Sequence, residues 1–482
     1  MMQNLWSHTG RGIAVSALAL ALTACQSMRG PEPVAQASIP SSYTAAASGT
    51  SVAEQGYKDF FADQRLLQVL DMALNNNRDL RTATLNIQRA QQAYQITENN
   101  QLPTIGASGG VLRQDQGTAL GTHTRYNVGL GVTAYELDFW GRVRSLKDNA
   151  LDNFLATQSS RDATQIALIG QVAQAWLNYS FANANLKLAD QTLKTQLESY
   201  NLNKKRFDVG IDSELPVRQA QISVETARND VANYKTQVAQ AQNLLNLLVG
   251  EQVPSALLPT QRVTHITKTT AIGAGLPSDL LNNRPDIRTA EYRLSAAGAN
   301  IGAAKARLFP SISLTGNAGY ASTDLSDLFK SGSFVWAVGP SIDLPIFDWG
   351  TRQANIKISE TDQQIALADY EKSIQSAFRE VNDALAVRQN IGDRLAAQKR
   401  LVDATNTTYK LSNARFRAGI DNYLTVLDAQ RTSYAAEQGL LLLEQANLNN
   451  QVELYKSLGG GVKANTSDAT SQPASSAERK AQ

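Results

Sequence analysis

From Tyr126 to Leu137 apolar side chains fall on alternate positions: Tyr126, Val128, Leu130, Val132 and Ala134 face one way, Asn127, Gly129, Gly131 and Thr133 the other. That two-residue period predicts a strand with one apolar face and one small, polar face. The same alternation recurs through Ile312, Leu314, Gly316, Ala318 and Tyr320, and again through Phe334, Trp336, Val338 and Ile342. A fourth, weaker run holds Ile105, Ala107 and Val111. Elsewhere the period changes. Residues 142–206 and 351–415 hold no proline and one glycine each, Gly170 and Gly392. Each stretch reads as a helix of roughly 95–100 Å. In the second, Ile358, Ile365, Tyr370, Ile374, Phe378, Val381 and Leu385 form a narrow apolar seam in a polar surround, the pattern of a helix packed among helices with much of its surface wet.

The pattern occurs twice. Arg206–Gln221 (RFDVGIDSELPVRQAQ) and Arg415–Gln430 (RFRAGIDNYLTVLDAQ) lie 209 residues apart and share nine of sixteen residues. At an offset of 207, Asp79 aligns with Asp286, Arg81 with Arg288 and Pro103 with Pro310; Trp140-Gly141 matches Trp349-Gly350 at 209. A repeat this long is a duplicated domain-sized unit, not a solenoid. Each unit reads as helix, strand, loop, strand, long helix, turn, long helix. The turns are hairpin tips, Val209-Gly210-Ile211-Asp212 and Ala418-Gly419-Ile420-Asp421. There the glycines are expected to cap the outgoing helix and Asp212 and Asp421 to cap the returning one.

Strands of about ten residues with an apolar face and aromatic rings near their ends (Tyr126, Tyr320, Phe334, Trp336) fit a membrane β-sheet. Four strands cannot close a barrel, and an open edge in lipid leaves backbone groups unpaired at several kcal/mol each. The strands must therefore be shared between copies: two copies give eight, three give twelve.

Composition narrows the chemistry. The 482 residues carry a net charge of +2, which implies no large surface for nucleic acid. One cysteine excludes an internal disulfide, and three histidines give no basis for a zinc site. No HExxH, GxSxG or phosphate-loop motif is present, so no catalytic residue, metal or bound cofactor is expected. The start reads as a secretion signal: Arg11, a short apolar core from Ile13 to Leu22, then LTAC ending at Cys25. LTAC resembles a bacterial lipobox, which implies cleavage before Cys25 and acylation of it; Gln26 after it resembles outer-membrane sorting. The covalent lipid on Cys25 is then the only attached group.

The block Gly275–Tyr320, with ELDFWGRVR, LPIFDWGTRQANI and RFRAGIDNYLTVLDAQR, resembles the TolC-like outer membrane factors, most closely the lipoprotein branch that serves resistance–nodulation–division pumps. The resemblance implies a mixed α and β membrane protein. Three copies would form a 12-stranded outer-membrane β-barrel, four strands per protomer, continuous with a 12-helix periplasmic α-barrel. It divides the chain into a signal peptide (1–24), an acylated tether (25–54), a first repeat (55–250), an equatorial belt segment (251–276), a second repeat (277–458) and a disordered tail (459–482). The belt would also draw on the flanks of residues 50 and 460. Implied partners are two further copies, a periplasmic adaptor, an inner-membrane transporter and outer-membrane lipid. The family's closed iris maps onto Leu424, Asp428 and Arg431, where Asp428 would form a ring of three carboxylates that favours cations. The first repeat has Gln219 and Ile222 in place of Asp428 and Arg431, and Thr425 stands where some members carry a second acid. Two other readings stay open: the same duct exporting proteins, and a coiled-coil periplasmic lipoprotein without a pore. Spacing alone also allowed Asp428 and Arg431 to be a surface ion pair.

Overall fold

Both long proline-free stretches are single helices in the computed structural model, which describes residues 28–36, 43, 50–52, 55–115, 117, 121–268, 272–273 and 279–464. In chain order the elements are β1 (Thr50–Ser51), α1 (Tyr57–Phe60), α2 (Gln64–Asn76), α3 (Arg78–Asn99), β2 (Ile105–Asp115), β3 (Thr122–Glu136), α4 (Arg142–Asp208), α5 (Glu214–Val249), β4 (Ile272–Gly273), α6 (Asp279–Asn283), α7 (Pro285–Ala306), β5 (Ser311–Ser322), β6 (Phe334–Asp343), α8 (Thr351–Arg417) and α9 (Tyr423–Ser457). The duplication is visible in this order, since α3-β2-β3-α4-α5 is followed by α7-β5-β6-α8-α9. Among the described residues no helix is long and apolar enough to cross a membrane. Cys25 and residues 465–482 lie outside the described residues. The chain forms two compact units: residues 1–36, 86–158 and 289–372, and residues 37–85, 159–288 and 373–482.

The first unit holds a four-stranded antiparallel sheet in the order β2-β3-β5-β6. Register follows the alternation. Val111 sits opposite Tyr126, Gly109 opposite Val128, and Ala318 opposite Trp336, which gathers the apolar positions on one face. The expectation fails at Ala134. The β3–β5 register shifts between Val132 and Tyr135, and Ala134 has φ +52°, so it lies in a bulge and not on the apolar face. One extra residue in β3 is the physical reason. Both repeats leave the sheet through the same device. Asp138 accepts from the amides of Val143 and Arg144 at the start of α4, and Asp348 accepts from those of Gly350 and Arg352 at the start of α8.

Residues 28–36, within the expected acylated tether, lie along α7. Gly30 donates to the Gly298 carbonyl (3.3 Å), Arg29 donates to the Ser295 carbonyl (2.8 Å), and the Ser295 hydroxyl donates to the buried Asp152 (2.6 Å). Gly298 and Gly302 open the groove: a Cβ on Gly302 would sit 3.1 Å from the Arg29 amide nitrogen.

The second unit carries the larger core. Ile169, Val172, Ala173, Trp176 and Leu177 of α4 are buried in it, with Ile374, Phe378, Val381 and Leu385 of α8. The apolar seam of α8 is thus covered over its middle, whereas Ile358 and Ile365, in the first unit, stay 57% exposed. The segment after α5 meets the flanks of residues 50 and 460. β1 pairs with β4 in parallel, Ala62 donates to Ile266, Tyr57 donates to Lys463, and the Phe60 ring stacks on Tyr455 at 3.9 Å. The repeats share one junction. A Cβ on Gly250 (φ +83°) would lie 2.4 Å from the Asn76 carbonyl oxygen, and one on Gly459 (φ +87°) 2.5 Å from that of Asn283. Only glycine fits at either place. Asn77 Nδ2 donates to the Leu248 carbonyl in the first junction, and Arg284 Nη1 to the Ser457 carbonyl in the second.

Candidate functional site: hairpin tips and exposed helix stripe

The two tips superpose in their bonding. Gly210 and Gly419 both have φ +74°. Gly210 donates to the Phe207 carbonyl and Ile211 to that of Arg206; Gly419 donates to Phe416 and Ile420 to Arg415, each at 2.9 Å. This paired closure ends a helix on a left-handed residue, which glycine adopts without steric cost. Val209, Ile211 and Ile420 are 67%, 68% and 63% exposed, so each tip offers apolar side chains to solvent. Ala418 is exposed beside them.

The expected N-caps are corrected by one residue. Ser213 and Asn422 hold the cap positions, and Asn422 Oδ1 accepts from the Thr425 amide. Asp212 and Asp421 turn back to the outgoing helix instead. Arg415 donates to Asp421 through Nε (2.6 Å) and Nη2 (2.9 Å), and Arg206 Nε lies 3.4 Å from Asp212. A guanidinium fork offers a carboxylate two charged donors, against neutral amides at a helix start. Hydrogen bonds from Arg415 hold the Asp421 carboxyl below its ordinary range, with the arginine charge acting the same way.

Behind the tips lies a cluster that the sequence reading missed. Phe416, Tyr423, Val426, Leu427 and Ala220 are buried together, with Tyr200, Leu202 and Tyr409 against them. The Arg206 guanidinium lies over the Phe416 ring at 5.1 Å, and Phe416 meets Tyr423 at 5.6 Å. Burial pushes the Tyr423 hydroxyl up to about 12, with Tyr409 adding to the shift. The Arg-Phe pair opening both repeated stretches was the available signal. The repeats nonetheless differ, since Phe416 is 4% exposed and its counterpart Phe207 42%.

Leu424, Asp428 and Arg431 share one exposed stripe of α9 at spacings of four and three, while Tyr423, Val426, Leu427 and Gln430 form the buried side. Leu424 is 56% exposed. No ion pair joins Asp428 to Arg431 among the described residues. On α5 the same stripe consists of Leu215, Gln219 and Ile222 and carries no charge. Thr425 is held by Asn422 Oδ1 through its hydroxyl as well as its amide.

Comparisons with known proteins agree with this architecture. The model of the outer membrane efflux protein family matches residues 69–251 and again 276–460, one match for each repeat. A toluene efflux pump outer membrane protein, TtgC of Pseudomonas putida, is 44% identical over 428 residues, 88% of each chain. The cation efflux system protein CusC of Escherichia coli is 38% identical over 455 residues, 92% of this chain and 97% of that one. Among solved structures, the open state of the MtrE outer membrane channel of Neisseria gonorrhoeae aligns with a TM-score of 0.85 at 38% identity, covering 92% of this chain and all of that one. Two family matches in tandem, full-length relatives and a shared fold have one consequence: the chain belongs to the outer membrane efflux protein family.

Proposed function

We propose that this outer membrane efflux protein is the passive, homotrimeric exit duct of a tripartite multidrug efflux system. The observation that carries the reading is the sheet itself: four strands, with β2 and β6 at its two edges. An edge in lipid must be paired, and three copies give the twelve strands of a closed wall. Substrate would arrive from an inner-membrane resistance–nodulation–division transporter through a periplasmic adaptor. The adaptor would seat on the apolar tips, Val209–Asp212 and Ala418–Asp421. Leu424, Asp428 and Arg431 form the periplasmic gate, three copies of each around the axis. Cys25, acylated after signal cleavage, anchors the mature chain to the outer membrane, since several acyl chains at about 0.8 kcal/mol per CH2 hold firmly. Relatives named for toluene, solvents, antibiotics and cations support small-molecule export.

Purified protein reconstituted in a planar bilayer should conduct in single steps, with larger steps once Asp428 or Arg431 is replaced. Absence of any conductance in wild type and variants would leave a periplasmic lipoprotein without a pore. Crosslinkers placed at Gly210 and Gly419 in cells should capture an adaptor of a small-molecule pump; capture of a protein-secretion adaptor assigns the duct to protein export.

A further inference from the structure

Trp140 and Trp349 hold the same place in the two repeats, yet among the described residues only Trp140 has a hydrogen-bond partner for its indole. Trp140, just after β3, donates from Nε1 to the Pro310 carbonyl (2.8 Å) and stacks on Phe309 at 4.7 Å, both just before β5. Leu137 donates to the Ile312 carbonyl at 2.7 Å beside it. These contacts close the β3–β5 seam, where the first repeat meets the second. Trp349, just after β6, is 88% exposed, and its Nε1 donates to nothing among the described residues. It also has φ +56°, a strained conformation for a bulky residue that Trp140 does not share, and its ring meets that of Phe347 at 4.5 Å. Around it Ile346 and Phe347 are 89% and 71% exposed, and on the opposite edge Leu102 and Ile105 are 65% and 71% exposed.

We propose that the β6 edge of one copy joins the β2 edge of the next by repeating the β3–β5 seam, with Trp349 as its lock. This rests on the trimeric duct and adds its register. The offsets of 209 and 207 carry each observed contact to its counterpart. Trp140 on Pro310 and Phe309 becomes Trp349 on Pro103 and Leu102 of the next copy. The bond from Leu137 to Ile312 becomes one from Ile346 to Ile105. Tyr135 opposite Leu314 becomes Leu344 opposite Ala107. Ahead of the bulge β3 holds one extra residue, so its offset is 210, and Val132 opposite Gly316 becomes Ile342 opposite Gly109. The two derivations give one register. It passes an independent check: Ile342 shares its face with Val338 and Trp336, and Gly109 shares its face with Val111, so the apolar face runs unbroken across the seam. A slip of one residue would set apolar against polar positions.

Paired cysteines test the register in outer membranes, with Cys25 retained. Oxidised Ile342→Cys/Gly109→Cys protein should give covalent dimer and closed trimer on non-reducing gels. Ile342→Cys/Val111→Cys, a diagonal pair too far apart for a disulfide, should give at least tenfold less. Trp349→Ala should lower the temperature at which the trimer dissociates, and Trp349→Phe should restore part of it. A trimer that crosslinks best at the shifted pair, or is indifferent to Trp349→Ala, overturns the seam and leaves the duct standing. A monomer by light scattering in mild detergent overturns both.

Discussion

Gly129 of β3 and Gly319 of β5 face each other across the sheet on its polar side, and neither has room for a side chain. A Cβ on Gly319 would lie 2.3 Å from the Val128 carbonyl oxygen, and one on Gly129 2.7 Å from that of Ala318. The two strands therefore approach more closely on this face than side chains permit. Gly319→Val should force them apart, at roughly 1–3 kcal/mol as for other overpacked sites. Gly316→Val in the same interior strand is the matched control, because the nearest atom to a Cβ there lies 3.6 Å away, an ordinary contact. Heat-resistant oligomer on semi-native gels should fall for the first variant and hold for the second. Equal loss from both would mean that the close approach is not what excludes side chains.

Arg284 ties three chain segments together. It is 7% exposed and donates to Asp286, Glu380 and the buried Ser457 carbonyl. Replacement by Met leaves that carbonyl unpaired, which costs about 1–3 kcal/mol. Glu380 keeps partial access to water and loses less. Lysine retains the charge but lacks the fork, so Arg284→Lys should recover only part of the loss. Thermal unfolding followed by circular dichroism should rank wild type above Lys and Lys above Met. Identical curves for Lys and wild type would reduce the role to charge alone.

Sequence periodicity sufficed for the strands, the long helices and the tips, because each is set by a local pattern: alternation, absence of proline, a repeated Gly-Ile-Asp. It failed where a competing partner lay out of local view. Asp212 and Asp421 had cap chemistry, but Arg206 and Arg415 six residues earlier won them. Ala134 kept the alternation on paper, and an inserted residue broke it. Arg284 carried no local sign of burial, since Glu380 and Ser457 come from helices distant in sequence. The seam around Trp349 became legible only after the Trp140 contacts were known.

Arg29 is held in the groove beside Gly298 and Gly302, so the bond after it should resist trypsin in the folded protein. Gly302→Leu fills the space now taken by the Arg29 backbone and should expose that bond. Asp152→Asn removes the buried carboxylate facing Arg29 and should do so to a lesser degree. Mass spectrometry of timed digests would show loss of the N-terminal segment at least several-fold faster in Gly302→Leu. Rapid cleavage of wild type would mean the segment is not seated.

The Arg415–Asp421 pair gives the second tip a defined response to acid. A carboxyl held below its ordinary value adds stability that is fully present above the unfolded value, about 4, and is lost as pH falls through the lower folded value. The tip should therefore be equally ordered at pH 7 and pH 5 and loosen only below about 4. Asp421→Asn reproduces the acid form at neutral pH. Hydrogen exchange at the Ile420 amide, corrected for intrinsic rates, should be unchanged in wild type between pH 7 and 5 and faster in Asp421→Asn at both. Loosening of wild type between pH 7 and 5 would assign the response to another group.

Asp428 stands on the exposed stripe of α9, between Leu424 and Arg431, without an ion pair among the described residues. In the proposed threefold assembly it would present three carboxylates to one another, and the uncharged Gln219 of the first repeat would add none. Such a ring would attract cations by charge, and the three Leu424 side chains would narrow the proposed passage. Asp428→Ala should raise single-channel conductance and reduce the preference for potassium over chloride. Leu424→Ala should raise conductance with the preference intact, because it changes width and not charge. Asp428→Asn separates the two effects: selectivity should fall as in the alanine variant while conductance rises less. A channel whose selectivity is indifferent to all three changes has its filter elsewhere along the duct.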